Sequence, residues 1–268
     1  MTNRFVEMLM QINKSCSSKV PTILETHAYI DDLVHLLFPI KDNCQLEPAE
    51  IEVSFAKMRL RLKELLIPVA NDLEFSPDKV ADAVFDAIPD VYEKLVEDAQ
   101  YFLESDPAAN SLEEIVVCYP GFYALITHRL ANLLFRQKVP LLPRIVSEYT
   151  HSKAGIDIHP GARIGRRCYI DHGTGIVIGE TTVVGDDVKI YQGVTLGATF
   201  VAKRLKGSKR HPTIEDRVII YAGATILGGD TVIGHDTTVG GNVWITESVP
   251  PNSVVYKPQP TVGKDKKK

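Results

Sequence analysis

Aliphatic residues recur every sixth position in the second half of the chain, at Ile158, Ile164 and Ile170, then at Ile178, Val184, Ile190 and Leu196. After a gap the rhythm resumes at Ile214, Ile220 and Ile226, then at Ile233, Val239 and Ile245. Most of these are followed four residues later by a small or β-branched side chain, among them Ala162, Cys168, Thr174, Thr182, Val188, Val218, Ala224 and Val243. A hexapeptide period is the signature of a parallel β-helix, in which one aliphatic residue per short strand points inward and stacks on its counterpart in the next coil. Three hexapeptides make a triangular coil of about 18 residues. An ordinary sheet of short Val/Ile strands separated by Gly turns is the competing reading, but such strands need not keep a fixed spacing.

The first half of the chain follows a different period. Between Pro48 and Asn71 the apolar residues Ile51, Phe55, Met58, Leu62, Leu65 and Leu66 fall three and four apart, which marks an amphipathic helix. Ser76-Pro77-Asp78 supplies a helix start, with Ser as N-cap and Pro in the first turn. Further helical runs reach from Val80 to Pro89, from Val91 to Leu103, from Ser111 and from Phe122 to Phe135, with Pro140 and Pro143 marking an end. The expected fold is therefore α+β in two parts. An all-α domain (1–143) and a connection (144–155) precede a β-helix (156–252) with an excursion near 199–211, and a tail follows (253–268). The helices serve either to cover the open end of the solenoid, since terminal coils need capping, or as an oligomerisation surface.

Composition narrows the class. The 268 residues suffice for one large or two ordinary domains. With 30 basic against 34 acidic residues, general nucleic-acid binding is disfavoured. Cys16, Cys44, Cys118 and Cys168 show no C-x-x-C spacing, so reduced buried thiols are expected and neither a zinc site nor a disulfide framework. Arg4, Glu7, Gln11 and Asn13 interrupt the apolar pattern at the start, and no apolar stretch reaches membrane-spanning length. A cytoplasmic location with no membrane contact is the expectation.

Two places concentrate chemistry. His172 lies in Asp171-His172-Gly173-Thr174-Gly175, a Gly-rich corner where side chains can leave the strand. An imidazole titrates near neutrality when unperturbed and so suits general-base work, and a carboxylate such as Asp157 could fix its tautomer. Asp157 and His172 are fifteen residues apart, three short of an ideal coil, so spacing alone leaves them on adjacent coils without establishing contact. Lys209-Arg210-His211-Pro212 closes a stretch from Thr199 in which the six-residue rhythm is interrupted and basic residues gather. That stretch is either a solvated excursion or a functional loop that brings cations to an anionic substrate.

Taken together, Asp157-Ile-His-Pro, Asp171-His172-x-Thr-Gly-Ile-Val-Ile-Gly-Glu-Thr, Gly193-Val-Thr-Leu-Gly and Arg210-His211-Pro212 resemble the serine acetyltransferase family. The match covers about residues 100–252. The resemblance implies a left-handed parallel β-helix and transfer of acetyl from acetyl-CoA to the hydroxyl of L-serine, giving O-acetylserine for cysteine biosynthesis. It implies His172 as general base with Asp157 as its partner, Arg210 on the substrate carboxylate with His211 close by, and Asp171 and Asp106 facing the substrate ammonium. It places Ala198, Thr199 and Ala222 along the CoA groove. It further implies a homotrimer or a dimer of trimers, because the counterparts of His172 and His211 meet across a subunit boundary, and no metal.

The sequence departs from the family pattern in places. Gly197-Ala198-Thr199 replaces Gly-Gly-Thr, the loop that follows is longer, and Tyr221 stands where Gly is common. The chain ends in Thr261-Val-Gly-Lys-Asp-Lys-Lys-Lys and lacks the terminal Ile that family members dock into O-acetylserine sulfhydrylase, so that complex is not expected. Feedback inhibition by cysteine follows by analogy. Three other readings use the same scaffold. One is a hexapeptide-repeat acyltransferase for a sugar or amino sugar, against which the Asp157, Asp171 and Arg210 set argues. Another is a zinc hydratase resembling the γ-class carbonic anhydrases, using His159, His172, His211 and His235. The third is a noncatalytic scaffold.

Overall fold

The computed structural model describes residues 3–16, 20–40, 47–199 and 207–256. Among these, eight α-helices precede fourteen strands of two or three residues. The helices are α1 (Asn3–Cys16), α2 (Ile23–Leu37), α3 (Pro48–Leu66), α4 (Pro77–Asp86), α5 (Ile88–Ser105), α6 (Leu112–Cys118), α7 (Pro120–Arg136) and α8 (Leu142–Ala154), with a 3-10 turn at Ile67–Asp72 after α3. Ser76 caps α4 by accepting from the Lys79 amide at 3.4 Å, and Ser111 caps α6 by accepting from Glu114 at 3.2 Å. Each bond satisfies an amide that has no partner inside its own helix.

Two prolines expected to end helices instead begin them. Pro89 and Pro143 sit in the first turns of α5 and α8, where a missing N–H costs no hydrogen bond. Residues 144–155 are consequently not a connection but helix as far as Ala154. Gly155, at φ +68°, closes α8 in the left-handed conformation and turns the chain into the first strand.

The strands wind into three parallel faces. The first face stacks β1 (Ile156–Ile158), β4 (Ile176–Ile178), β7 (Thr195–Gly197), β10 (Thr225–Leu227) and β13 (Trp244–Ile245). The second stacks β2 (Arg163–Ile164), β5 (Val183–Val184), β8 (Thr213–Ile214) and β11 (Val232–Ile233). The third stacks β3 (Tyr169–Asp171), β6 (Lys189–Tyr191), β9 (Ile219–Ile220), β12 (Thr238–Val239) and β14 (Val254–Val255), the last lying in the expected tail. Ile158, Ile178, Leu196 and Ile226 fill the first column, Val184, Ile214 and Ile233 the second, and Ile170, Ile190, Ile220 and Val239 the third, all buried. Each contributes roughly 1.5–3 kcal/mol by leaving water, which is why the period is so strict.

The coils are unequal. Ile156 pairs with Ile176, twenty residues on, whereas Val177 pairs with Thr195 at eighteen. The two extra residues widen the corner at 172–175, so Ile176 turns inward and Thr174 stays exposed. Asp157 and His172 belong to one coil and not to adjacent ones, because a separation of fifteen residues is shorter than a turn of either eighteen or twenty. Thr195 pairs with Thr225, and the longer coil between them carries the excursion after β7. Residues 200–206 of that excursion and 257–268 of the tail lie outside the described residues.

The solenoid is left-handed, a departure from the right-handed rule for parallel crossovers. At the corner between the second and third faces, Arg167, Asp187, Arg217 and Asp236 follow one another down the coils, each with φ between +53° and +58°. Arg167 Nε donates to Asp187 Oδ1 at 2.6 Å, and Arg217 donates to both Asp236 oxygens at 2.7 and 2.8 Å.

The helices cap the first coil, as solenoid ends require. Buried Arg129 of α7 pairs with buried Asp98 of α5 and donates to the Ile164 and Gly165 carbonyls at 3.1 and 2.6 Å, while Asp98 accepts from the Cys168 amide at 3.0 Å. Asn132 donates to the Pro160 and Ala162 carbonyls, and a β-carbon on Gly121 would lie 2.1 Å from the Ile170 carbonyl oxygen. All of the α1 side chains that are described are exposed, Phe5, Met8, Leu9 and Ile12 among them. No helix among the described residues is long and apolar enough to cross a membrane.

Candidate active site

The expected site residues fall at the two edges of the first face. At the edge shared with the third face, β3 delivers Asp171 and the wide corner delivers His172 at φ +55°. The Gly175 amide donates to the Gly155 carbonyl at 2.8 Å, which lays this corner beside the start of β1, the strand that carries Asp157. His172 Nε2 lies 3.7 Å from Asp171 Oδ1 and makes no hydrogen bond to Asp157. The ring is 72% exposed, so one chain alone leaves this imidazole open to solvent.

Asp106 joins the same edge from the end of α5. Its Oδ1 accepts from the Ala108 amide at 2.8 Å and its Oδ2 from the Tyr119 hydroxyl at 2.6 Å. The Tyr119 bond, then the Ala108 amide, hold the Asp106 carboxyl below the usual carboxylate range against partial burial, with the charge of nearby His172 adding to the effect. The Tyr119 hydroxyl is raised above its ordinary pKa, first by that bond to Asp106 and then by burial. Tyr169 and Tyr191 line the same corner, each raised by burial and by the charge of Asp171. Tyr221 stacks on Tyr191 with centroids 5.0 Å apart.

The edge shared with the second face carries Arg210 and His211, on the return from the excursion. Thr181 organises them. Its Oγ1 accepts from the Arg210 and His211 amides at 2.9 and 3.1 Å, and its own amide donates to His211 Nδ1 at 3.1 Å. Because Nδ1 accepts a backbone N–H, the ring hydrogen resides on Nε2. Burial, reinforced by the Arg210 charge and opposed by Glu180, pushes the His211 pKa down to about 4, so the ring is a neutral donor at pH 7. The Arg210 guanidinium pairs with Glu180. Burial disfavours the Glu180 carboxylate, but hydrogen bonding and charge from Arg210 outweigh it and leave its pKa lowered. His159 lies within electrostatic reach of both Glu180 and Arg210.

The sequence reading left Glu180, Thr181 and Tyr119 without roles, although Gly179-Glu180-Thr181 stood inside a quoted motif. Their roles depend on which corners stack and which loops meet. The residues expected along the CoA groove divide between the same two edges. Ala198 and Thr199 follow β7 on the Arg210 side, whereas Ala222 precedes β10 on the His172 side. The histidines weighed for a zinc site stand at three different corners: His172 at the first, His159 and His211 at the second, and His235 beside Asp236 at the third. Among the described residues, no three His, Cys, Asp or Glu side chains are arranged to hold a metal ion.

A triangular left-handed solenoid with an imidazole, carboxylates and an arginine at its corners places the chain in the hexapeptide-repeat class. No protein-family model matches the chain. A plasmid-encoded serine acetyltransferase of Synechococcus elongatus is 51% identical over 186 residues, which cover 68% of this chain and 58% of that protein. The serine acetyltransferase of Bacillus licheniformis is 42% identical over 61% of this chain and 74% of its own length. The chain thus spans less than two thirds of the cyanobacterial relative and about three quarters of the bacillary one. The structure of Entamoeba histolytica serine acetyltransferase isoform 3 in complex with cysteine superposes with a TM-score of 0.78 at 32% identity, covering 89% of this chain and 84% of that one. The chain belongs to the serine acetyltransferase family.

Proposed function

We propose that this chain is a serine O-acetyltransferase that moves acetyl from acetyl-CoA to the hydroxyl of L-serine, releasing O-acetyl-L-serine and CoA for cysteine biosynthesis. The observation that carries this reading is the sorting of charge between the two edges of the first face. Carboxylates and an imidazole occupy one edge, and an arginine paired with Glu180 and a neutral histidine occupy the other. An α-amino acid has the complementary groups: an ammonium for Asp106 and Asp171, a carboxylate for Arg210, and a hydroxyl between them.

A serine hydroxyl is barely ionised at neutral pH, so its proton must leave as it attacks the thioester carbon. His172 takes that proton, and Asp157, on the adjoining strand, offsets the charge the ring gains. The new C–O bond forms as the carbonyl becomes tetrahedral. When the intermediate collapses the C–S bond breaks, and the His172 proton passes to the departing thiolate. Arg210 shares its guanidinium between Glu180 and the substrate carboxylate, and His211 offers the Nε2–H donor.

The two half-sites lie at opposite edges of one face, and each is incomplete by itself. A head-to-tail cyclic arrangement sets the His172 edge of one copy against the Arg210 edge of the next, and three triangular solenoids close such a ring. The same closure unites Ala222 with Ala198 and Thr199 along the acetyl-CoA groove. The exposed apolar stripe of α1 is the surface through which two trimers would join. Free thiols at Cys118 and Cys168 support a cytoplasmic location. The C-terminal residues through which family members dock the sulfhydrylase lie outside the described residues, and no such complex is proposed.

The test is acetyl-CoA-dependent thiol release with L-serine, L-homoserine and amino sugars as acceptors. Serine should be the preferred acceptor by a wide margin. Turnover with an amino sugar and none with serine would overturn the proposal.

A further inference from the structure

The link between α6 and α7 sets a tyrosine that no motif marks against Asp106. Tyr119 is fixed at its base, because its amide donates to the Ile115 carbonyl at 3.2 Å and Pro120 follows in the first turn of α7. Its ring stands edge-on to the fully buried Phe102 ring of α5, with centroids 6.0 Å apart. From this seat the hydroxyl reaches Asp106 Oδ2 at 2.6 Å, while Ala108 holds Oδ1 at 2.8 Å. Asp106 terminates α5, and its own amide closes the last turn onto Phe102.

A carboxylate at a helix end swings about χ1 and χ2 unless something holds it. With one oxygen on a backbone amide and the other on a phenol, Asp106 has one orientation, and each oxygen keeps a lone pair free. The ionised carboxylate is favoured by the same two bonds. Around it stand His172, Asp171, Tyr169 and Tyr191, a set that holds no lysine or arginine to pair with the Asp106 carboxylate.

We infer that Tyr119 is a positioning residue for substrate recognition, fixing Asp106 so that its carboxylate faces the ammonium of the acceptor amino acid. The inference rests on the serine acetyltransferase reading and adds to it a residue from outside the solenoid. Tyr119 acts through Asp106 and does not itself touch the reacting atoms.

The experiment is a double-mutant cycle on the full chain with Tyr119→Phe, Asp106→Asn and the pair, followed by thiol release. Tyr119→Phe keeps the ring on Phe102 and removes only the hydroxyl. A hydrogen bond to a charged group of this kind corresponds to about a tenfold change, so the serine KM should rise about tenfold, with kcat and the acetyl-CoA KM within about twofold of wild type. In the Asp106→Asn background, Tyr119→Phe should add little further. An unchanged serine KM in Tyr119→Phe overturns the inference, as do additive effects in the pair. A parallel loss of kcat, both KM values and thermal stability overturns it too, since that pattern marks a merely structural role. Wild-type protein that fails to acetylate serine would instead defeat the parent reading, so the two failures are separable.

Discussion

The His211 ring lies directly on the backbone of Gly179, so close that a β-carbon there would stand 2.1 Å from its Cδ2 and 2.2 Å from its Nε2. The ring cannot retreat easily, because Thr181 holds its other nitrogen. Gly179→Ala should push the imidazole aside and lower kcat/KM for serine by about 10²-fold, the usual cost of misplacing a binding group by an ångström. Steady-state kinetics on the folded variant check this, and a wild-type value would remove His211 from the site.

His172→Ala should lower kcat by about 10²–10⁴-fold, the contribution of a positioned base. The ring is mostly exposed and carries no packing within its own chain, so the fold followed by circular dichroism should not change. Undiminished turnover would remove the general-base role.

Mixed assemblies test the proposed sharing of a site between subunits directly. His172→Ala and His211→Ala chains should each be nearly inactive alone. Co-refolded, they should recover about a quarter of wild-type activity, the share of boundaries at which random mixing pairs two intact edges. Complete absence of recovery in mixed trimers would argue for a site within one chain.

Arg129 and Asp98 are both buried and pin α5 and α7 to the first coil. Arg129→Ala leaves the Asp98 carboxylate buried and unpaired, and should cost about 3–5 kcal/mol. Urea unfolding followed by circular dichroism reads this, and a loss below about 1 kcal/mol, as for an exposed pair, would contradict it.

Stability should depend on pH through histidines that burial keeps neutral, His211 and His128 foremost, with His159 lowered for the same reason. Burial lowers His211 to about 4 and His128 to about 3. Unfolded, both take up a proton near pH 6.5, so below that pH the unfolded chain binds more protons than the folded one. The stabilisation is complete above about pH 6.5 and drains away as the pH falls towards 4. Urea midpoints should be level from pH 8 to 7 and then decline, with a shallower decline in His211→Gln. A flat profile down to pH 4.5 would refute this account.

The solenoid was legible in the sequence because each strand buries a single aliphatic side chain, and Ile158, Ile178 and Leu196 could not drift without exposing it. The helix starts at Ser76 and Ser111 were legible for an equally local reason. The length of the first coil was hidden, since two extra corner residues before Ile176 leave the six-residue rhythm on either side intact. That hid the wide corner on which His172 stands. Helix α8 was missed because Pro143 signals a first turn as readily as a stop. Motif resemblance named residues that the fold places at both edges of the first face. The bonds that set them, Thr181 to His211 and Tyr119 to Asp106, connect segments whose proximity only the stacking order reveals.

The column Arg167, Asp187, Arg217, Asp236 gives the solenoid a parity. Each rung presents the opposite sign to its neighbours, and the residues share one left-handed backbone conformation, so their side chains project alike. Excising a single rung would set like charge against like, Arg167 upon Arg217 or Asp187 upon Asp236. Coils can therefore be gained or lost from this region without electrical conflict only two at a time.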